Sequence, residues 1–129
     1  MNIENVPFCA TDCNTVASER IEGERGFTVS KVVEQGNIRV RQVEYSADYK
    51  AENWCRKDHV LLILFGELSI EQADGVKVEL EKGMSFQVAD DNDAHRAHTE
   101  NLKFVSSTIM SRFSFLSFSS WSVSGSFMV

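Results

Sequence analysis

The chain has 129 residues, a formal net charge of -6 and a sequence pI near 5.0. A domain of this length buries roughly two thirds of the surface of its unfolded chain, so we expect one hydrophobic core. The acidic balance argues against a nucleic-acid partner, because such proteins gain affinity by placing lysine and arginine on phosphates.

The N-terminal sequence and the cysteines predict the compartment. The opening MNIENVPF lacks the basic and apolar segments of a secretory signal, and the longest aliphatic run, Val60 to Phe65, is too short to cross a bilayer. Cys9, Cys13 and Cys55 are an odd number of thiols, which disfavours a disulfide framework. We therefore expect a cytoplasmic protein with reduced thiols and no membrane partner.

The first third of the chain predicts a short helix and then a hairpin. The helix is expected around Thr11 to Arg20, where a threonine or aspartate cap precedes mixed residues. The hairpin joins Thr28 to Gln35 with Asn37 to Tyr45, because Gly36 and Asn37 both tolerate positive φ.

Alternation in the second strand of this hairpin divides its residues between two faces. One face carries Asn37, Arg39, Arg41, Val43 and Tyr45, and the other carries Ile38, Val40, Gln42 and Glu44. A strand with mixed faces is typical of a two-layered structure.

The middle of the chain continues with short strands separated by turn residues. His59 to Phe65 is predicted as a buried strand, which Gly66 ends before the alternating Glu67 to Gln72. Further strands are predicted in order as Val76 to Leu80 after an Ala-Asp-Gly turn, Met84 to Ala89 after Gly83, and one that opens at Leu102 to Val105. The regular spacing predicts an all-β fold with a single domain.

The C-terminal segment differs in composition from the rest. Residues 106–129 are rich in serine and phenylalanine and contain Arg112 as their single charged side chain. We therefore divide the chain into a β-domain over residues 1–105 and an extension over residues 106–129. The extension is predicted either as one or two added strands, covering a sheet edge or pairing with a second subunit, or as an unrelated tail.

Two segments carry a resemblance to a known family. Tyr45 to Gly66 reads YSADYKAENWCRKDHVLLILFG and Gly83 to His95 reads GMSFQVADDNDAH, and both resemble the signature motifs of the cupin superfamily. The stretches MNIENVPF, GNIRVRQVEYS and GMSFQVADD, with the adjacent Trp54 and Cys55, more closely resemble a bacterial cupin family named for an Asp-His-Cys-Trp type motif. The resemblance implies a jelly-roll β-barrel, open at one end, with a pocket where a divalent metal usually sits.

The resemblance also implies a set of metal ligands. Cupins use two histidines one residue apart, then an acid, and a further histidine from the second motif. The matching positions are Asn53, Cys55, His59 and His95, of which only His95 keeps the usual residue type. Asn53 and Cys55, two residues apart, would share one face of a strand. We expect Cys55, His59 and His95 to be the ligands.

This ligand set keeps the charge of the usual one. A cysteine thiolate with two neutral imidazoles carries one negative charge, as three histidines and a carboxylate do. Thiolate and imidazole suit a divalent transition metal, so zinc, iron, copper, nickel or manganese is expected. The structural alternative is that Cys55 is a small buried apolar residue and each histidine is a hydrogen-bonded core residue.

Two classes of function stay open. The pocket around the ligands is predicted to contain Asn53, Tyr45, Leu61, Ile63, Phe86 and Gln87. In the first class, a metal with an open coordination position acts on a small-molecule substrate. In the second, the domain is a metal-free module that binds or senses a small molecule without catalysis. We expect a homodimer in both cases.

Overall fold

The computed structural model describes residues 3–56, 59–89, 94–99 and 105–112, with the backbone alone at residues 59 and 112. Within these ranges the strands are β1 (Glu19–Glu22), β2 (Phe27–Gln35), β3 (Ile38–Tyr45), β4 (His59–Phe65), β5 (Leu68–Gln72), β6 (Lys77–Leu80), β7 (Ser85–Val88), β8 (His95–His98) and β9 (Val105–Arg112). They form a large sheet in the order β1-β2-β3-β9-β4-β7 and a small sheet in the order β6-β5-β8. Every pairing between these strands is antiparallel. The predicted all-β class is confirmed.

The predicted helix near the N-terminus is a single 3-10 turn, Cys13–Thr15. The Asp12 carboxylate accepts a hydrogen bond from the Asn14 amide at 3.0 Å, so a cap is present. No helix follows, because a helix this short gains little without an apolar face to bury, and the chain enters β1 four residues later. Among the described residues no helix could span a membrane.

The hairpin between β2 and β3 forms as the sequence predicts. The two strands pair from Thr28 with Tyr45 to Gln35 with Ile38. Gly36 lies in the turn with φ of +54°, and a side chain there would also collide with the carbonyl of Glu4. The N-terminal segment is therefore held against this turn, where the Glu4 amide donates to the Asn37 side chain at 2.8 Å.

Residues of both sheets form one hydrophobic core. Its buried members are Val43, Tyr45, Tyr49, Ala51, Cys55, Leu61, Ile63, Leu68, Ile70, Leu80, Ala97, Val105 and Ile109. On β3 the predicted alternation is confirmed, because residues 39, 41, 43 and 45 are buried while residues 42 and 44 are exposed. We call the face of each sheet that contributes to this core its inward face.

Strand β4 is buried on one face only, so the prediction of a fully buried strand is wrong. Leu61 and Ile63 are fully buried on the inward face, whereas Leu62 and Leu64 are 41% and 42% exposed on the outer face. An apolar run alone does not distinguish a strand covered on both sides from one whose outer face is open.

Strand β9 lies in the middle of the large sheet, between β3 and β4. The boundary predicted between residues 105 and 106 therefore falls inside a strand of the domain. The serine-rich composition hid this strand because its inward face alternates Val105 and Ile109 with the small hydroxyl residues Ser107 and Ser111. Residues 113–129 lie outside the described part of the chain.

Candidate functional site

A cysteine and a histidine face each other at one edge of the small sheet. The Cys55 amide donates to the His95 carbonyl at 2.7 Å, and the His95 amide donates to the Cys55 carbonyl at 2.9 Å. Residues that exchange both hydrogen bonds in an antiparallel bridge are directly opposite and project their side chains to the same face. Cys55 is 1% exposed and His95 is 2% exposed, so a thiol and an imidazole lie next to each other in the interior.

A cavity of about 120 Å³ adjoins His95. Its wall comes from both sheets and consists of Ile70, Gln72, Val76, Val78, Phe86, Gln87, Val88 and His95. The ring centroids of Phe86 and His95 are 5.6 Å apart, so the aromatic ring supports one side of the imidazole. Gln72 is opposite His95 in the pairing of β5 with β8, which places an amide beside the imidazole.

The third predicted ligand, His59, is the first residue of β4. Its backbone pairs with Val88, a residue of the cavity wall, and its side chain lies outside the described part of the structure. Among the side chains that the structure describes, no three histidine, cysteine, aspartate or glutamate residues are grouped closely enough to hold a metal ion. Two of the three predicted ligands are therefore brought together, and the place of the third is defined by its register alone.

Only some of the predicted pocket residues line the cavity. Phe86 and Gln87 line the cavity. Tyr45, Leu61 and Ile63 are fully buried in the core instead of lining it.

Asn53 is exposed two residues before the buried Cys55. The expectation that these two residues share a face is wrong, because residues 52 and 53 form a bend and only Cys55 enters a β-bridge. The alternation of a strand does not apply across a bend. Gln72 and Val88 were missed by the sequence analysis, although Gln72 shares the face of Ile70 by alternation.

His98 shares β8 with His95 but points to the opposite face. It lines an open polar groove of about 390 Å³ together with Arg25, Asp48, Lys50, Glu71 and Thr99. Alternation along β8 separates the two histidines. Ala97 is fully buried in the core and shares its face of the strand with His95, so His98 lies on the other face. His98 therefore cannot add a ligand to the Cys55 and His95 pair.

Trp54 is 39% exposed, and the guanidinium of Arg96 lies 4.3 Å from its ring centroid. This outward stack covers the edge that carries Cys55 and His95, because Trp54 and Arg96 are the sequence neighbours of those two residues. A cation over an indole ring in this geometry contributes about 0.5 to 1 kcal/mol at an exposed site. The stack stabilises the Cys55–His95 bridge from its outer side, while the thiol and the imidazole lie on the inward side.

Two tyrosines are buried in the hydrophobic core. The ring centroids of Tyr45 and Tyr49 are 5.5 Å apart, and the hydroxyl groups of Tyr45 and Ser107 share a hydrogen bond of 3.0 Å. Burial is the main cause that raises the pKa of Tyr45 above its ordinary value, and burial likewise raises the pKa of Tyr49. Both phenols therefore stay neutral at physiological pH and act as packing and hydrogen-bonding groups.

Comparison with solved structures places this architecture. The chain is similar to a predicted oxalate decarboxylase from Thermotoga maritima, with a TM-score of 0.67 and 12% identity over 79% of this chain and 96% of that one. It is similar to a cupin domain from Bordetella pertussis, with a TM-score of 0.56 and 15% identity over 74% of this chain and 99% of that one. The chain has the cupin fold. The polyketide cyclase RemF from Streptomyces resistomycificus is also similar, with a TM-score of 0.67 and 12% identity over 84% and 81% of the two chains.

The likeness to cupins extends to the fold and not to one activity, because these neighbours are described by different functions at identities of 12 to 15%. No family model matches the chain, and no curated protein matches it in sequence. The closer resemblance to the family with the Asp-His-Cys-Trp motif therefore stays a prediction.

The donor set at this edge of the cupin fold is compatible with a transition metal. Cys55 supplies a thiolate once deprotonated and His95 supplies an imidazole, and both side chains belong to one rigid backbone bridge. Soft sulfur and borderline nitrogen donors favour zinc, copper or iron over magnesium and calcium. The cavity beside His95 leaves space for a small molecule at the same place.

Proposed function

We propose that this cupin domain binds a divalent transition metal between Cys55 and His95, with His59 as the third ligand. The observation that carries the proposal is the double hydrogen bond between the backbones of Cys55 and His95. It fixes a buried thiol and a buried imidazole side by side, which is the preorganisation that a metal site needs. Support for His59 comes from its pairing with Val88 in the cavity wall.

The cavity makes a small-molecule ligand or substrate the second part of the proposal. A metal bound there would act as a Lewis acid on a ligand in an open coordination position. Gln72 lines the same cavity, and its amide can orient a polar ligand through hydrogen bonds. Phe86 and the valines of the wall add an apolar surface that can contact a nonpolar part of the same ligand. Whether the bound molecule is converted or only sensed depends on that ligand.

The cytoplasm is the compartment that suits this site. No disulfide joins Cys9, Cys13 or Cys55, all of which lie in the described part of the chain. A reducing compartment keeps the Cys55 thiol available to a metal.

Metal analysis of the full chain, purified without a histidine tag, tests the proposal. We expect stoichiometric zinc, iron, copper, nickel or manganese in the native protein and loss of that metal in Cys55→Ser and His95→Ala. His98→Ala is the matched control, because it removes an imidazole from the same strand on the opposite face and should keep the metal. Cobalt(II) exchanged into the native protein should also give a thiolate-to-metal charge-transfer band that Cys55→Ser lacks.

The result for His59→Ala separates its two possible roles. Loss of metal in that variant supports it as the third ligand, and full retention contradicts that assignment. A native protein that neither contains metal when purified nor takes up cobalt overturns the metal proposal and leaves the metal-free binding module.

A further inference from the structure

Two arginines lie on the inward face of β3, beside the core. Arg39 is 9% exposed and Arg41 is 2% exposed. They are two residues apart and therefore project from the same face of the strand. Buried cations of this kind are rare in proteins unless they are paired with an anion.

The two arginines differ in their partners. The Nε atom of Arg39 lies 3.7 Å from the Glu34 carboxylate, so its charge has a counterion. Arg41 donates one hydrogen bond from Nη2 to the Ser30 hydroxyl at 3.2 Å. The Nε and Nη1 atoms of Arg41 are buried and have no acceptor in the described part of the protein. Three N–H groups and the positive charge of Arg41 therefore lack a partner among the residues that the structure describes.

A serine hydroxyl beside the arginines also lacks a hydrogen-bond partner among the described residues. Ser111 is opposite Arg39 in the pairing of β3 with β9, and it is 1% exposed. Its Oγ atom is buried without a hydrogen-bond partner among the described residues. The neighbouring inward serine of β9, Ser107, is by contrast satisfied by Tyr45. The unfilled donors thus cluster at one end of the interior.

Arg41 keeps its charge at physiological pH. Burial first, and the charge of Arg39 second, lower the pKa of Arg41 from 12.5 to about 10. Tyr45, Glu19 and Tyr49 act in the opposite direction, and none of them forms an ion pair with Arg41 in the described part of the chain. Since a buried charge without a partner is strongly unfavourable, an anion bound next to Arg41 would offset a cost that the protein itself leaves in place.

The arginine end is connected to the cavity by the sheet. Arg41 pairs with Ile109, Ile109 with Leu61, and Leu61 with Phe86, which lines the cavity. This row spans three strand spacings, so Arg41 and Phe86 are roughly 14 Å apart along the same inward face. The arginine end is thus a second polar position inside the fold, separate from Cys55 and His95.

We propose that Arg41, assisted by Ser30, Arg39 and Ser111, binds the oxyanion group of a small molecule, a carboxylate or a phosphate, in the interior of the large sheet. The planar guanidinium matches the geometry of both groups and can donate more than one hydrogen bond to either. Ser111 supplies a further O–H donor from the adjacent strand. This site does not depend on a metal.

Thermal unfolding of the full chain at constant ionic strength tests the site, with acetate and inorganic phosphate as the probes and chloride as the reference. A bound anion stabilises only the folded state, so the midpoint should rise with probe concentration and follow a binding curve. A response to acetate assigns a carboxylate site, and a response to phosphate assigns a phosphate site. Arg41→Met should abolish the rise.

Arg41→Lys keeps the charge but loses the planar fork, and we expect at least about a tenfold weaker apparent affinity for the probe. This variant also keeps the test valid if Arg41→Met does not fold. Arg20→Met is the matched control, because Arg20 is exposed on β1 and paired with Glu22 at 2.7 Å. It should respond to the probes as the native protein does.

A native protein whose unfolding midpoint shows no saturable rise with either probe overturns the proposal. The proposal also fails if the midpoints of Arg41→Met and Arg41→Lys rise as much as that of the native protein. Cys55→Ser distinguishes this result from failure of the metal site. That variant should lose metal and still respond to acetate or phosphate through Arg41.

Discussion

Strands β3 and β9 carry two pairs of buried polar residues. In one pair the side chains hydrogen-bond to each other, which we call the closed pair; in the other, the open pair, polar atoms lack a partner among the described residues. Tyr45 and Ser107 share a hydrogen bond of 3.0 Å, so their polar atoms are satisfied inside the core. Arg41 and Ser111 lie nearer the β2–β3 turn, equally buried, with donors that no described residue accepts from. A closed pair is explained by folding alone, whereas an open one indicates where an outside partner is needed.

The largest effect on stability should come from the hydrophobic core, where no partner is missing among the described residues. Leu61→Ala removes a fully buried side chain from the inward face of β4 and should lower the free energy of unfolding by about 2 to 5 kcal/mol. Leu62→Ala, at a neighbouring position that is 41% exposed, should cost less than about 1 kcal/mol. Chemical denaturation of both variants measures the difference. Equal losses would contradict the assignment of the two faces.

A substitution in the open pair, Arg41 and Ser111, should raise the free energy of unfolding or leave it unchanged, whereas a core substitution lowers it. Arg41→Met removes a buried charge that has no counterion in the described part of the chain, so in chloride buffer its free energy of unfolding should equal that of the native protein or exceed it by up to about 4 kcal/mol. Denaturant titration of the two proteins, without carboxylates or phosphate, makes the measurement. A loss of several kcal/mol would mean that the guanidinium is already well paired.

At alkaline pH the buried tyrosines and Arg41 should affect stability in opposite directions. The neutral forms of Tyr45 and Tyr49 are favoured by burial, so their stabilisation is complete below pH 10.0 and is lost above it, by about 1.4 kcal/mol per pH unit for each group. Arg41 opposes this loss, because its pKa in the folded chain, about 10, is below the ordinary 12.5 and its loss of charge above pH 10 relieves its burial. Burial also lowers the pKa of Arg39, which opposes the loss in the same way, so stability should fall with pH by less than the two tyrosines alone would cause.

Two variants check the assignment in unfolding experiments above pH 10.0. Tyr45→Phe should flatten the loss of stability, since one titrating group is gone. Arg41→Met should steepen it, since the opposing group is gone. Identical slopes in the native protein and both variants would show that other groups control the alkaline limit.

The smallest effect on stability is expected on the outer face of β4. The homodimer predicted from the sequence would bury apolar surface, and Val60, Leu62, Leu64 and Phe65 are all exposed there. Leu62→Glu should change the free energy of unfolding of the monomer by less than about 1 kcal/mol and should reduce self-association in analytical ultracentrifugation. Glu44→Gln is the control on the outer face of β3. A native protein that is monomeric at all concentrations would contradict the dimer.

Local rules predicted the elements that depend on near neighbours. Gly36 defines the β2–β3 hairpin because its left-handed φ of +54° favours glycine. Alternation along β3 correctly grouped Arg39 and Arg41 with Val43 and Tyr45. The grouping alone did not show that this face is the inward one, and so the two arginines were not recognised as interior residues.

Predictions that required long-range pairing were less successful. The serine-rich strand β9 was divided from the domain because nothing in its composition indicates that β3 and β4 will pair on its two sides. Asn53 was placed beside Cys55 because a two-residue spacing implies a shared face only where the chain is extended, and this chain bends there.

The sequence by itself determined the all-β class, the β2–β3 hairpin and the two faces of β3. These depend on periodicity, turn chemistry and residue type, which act over a few residues. The tertiary structure decided that Cys55 pairs with His95 across 40 positions of the chain, that His98 is turned away from them, and that Arg41 is buried with no counterion among the described residues. Register, burial and the environment of a charge arise only when distant strands pack together.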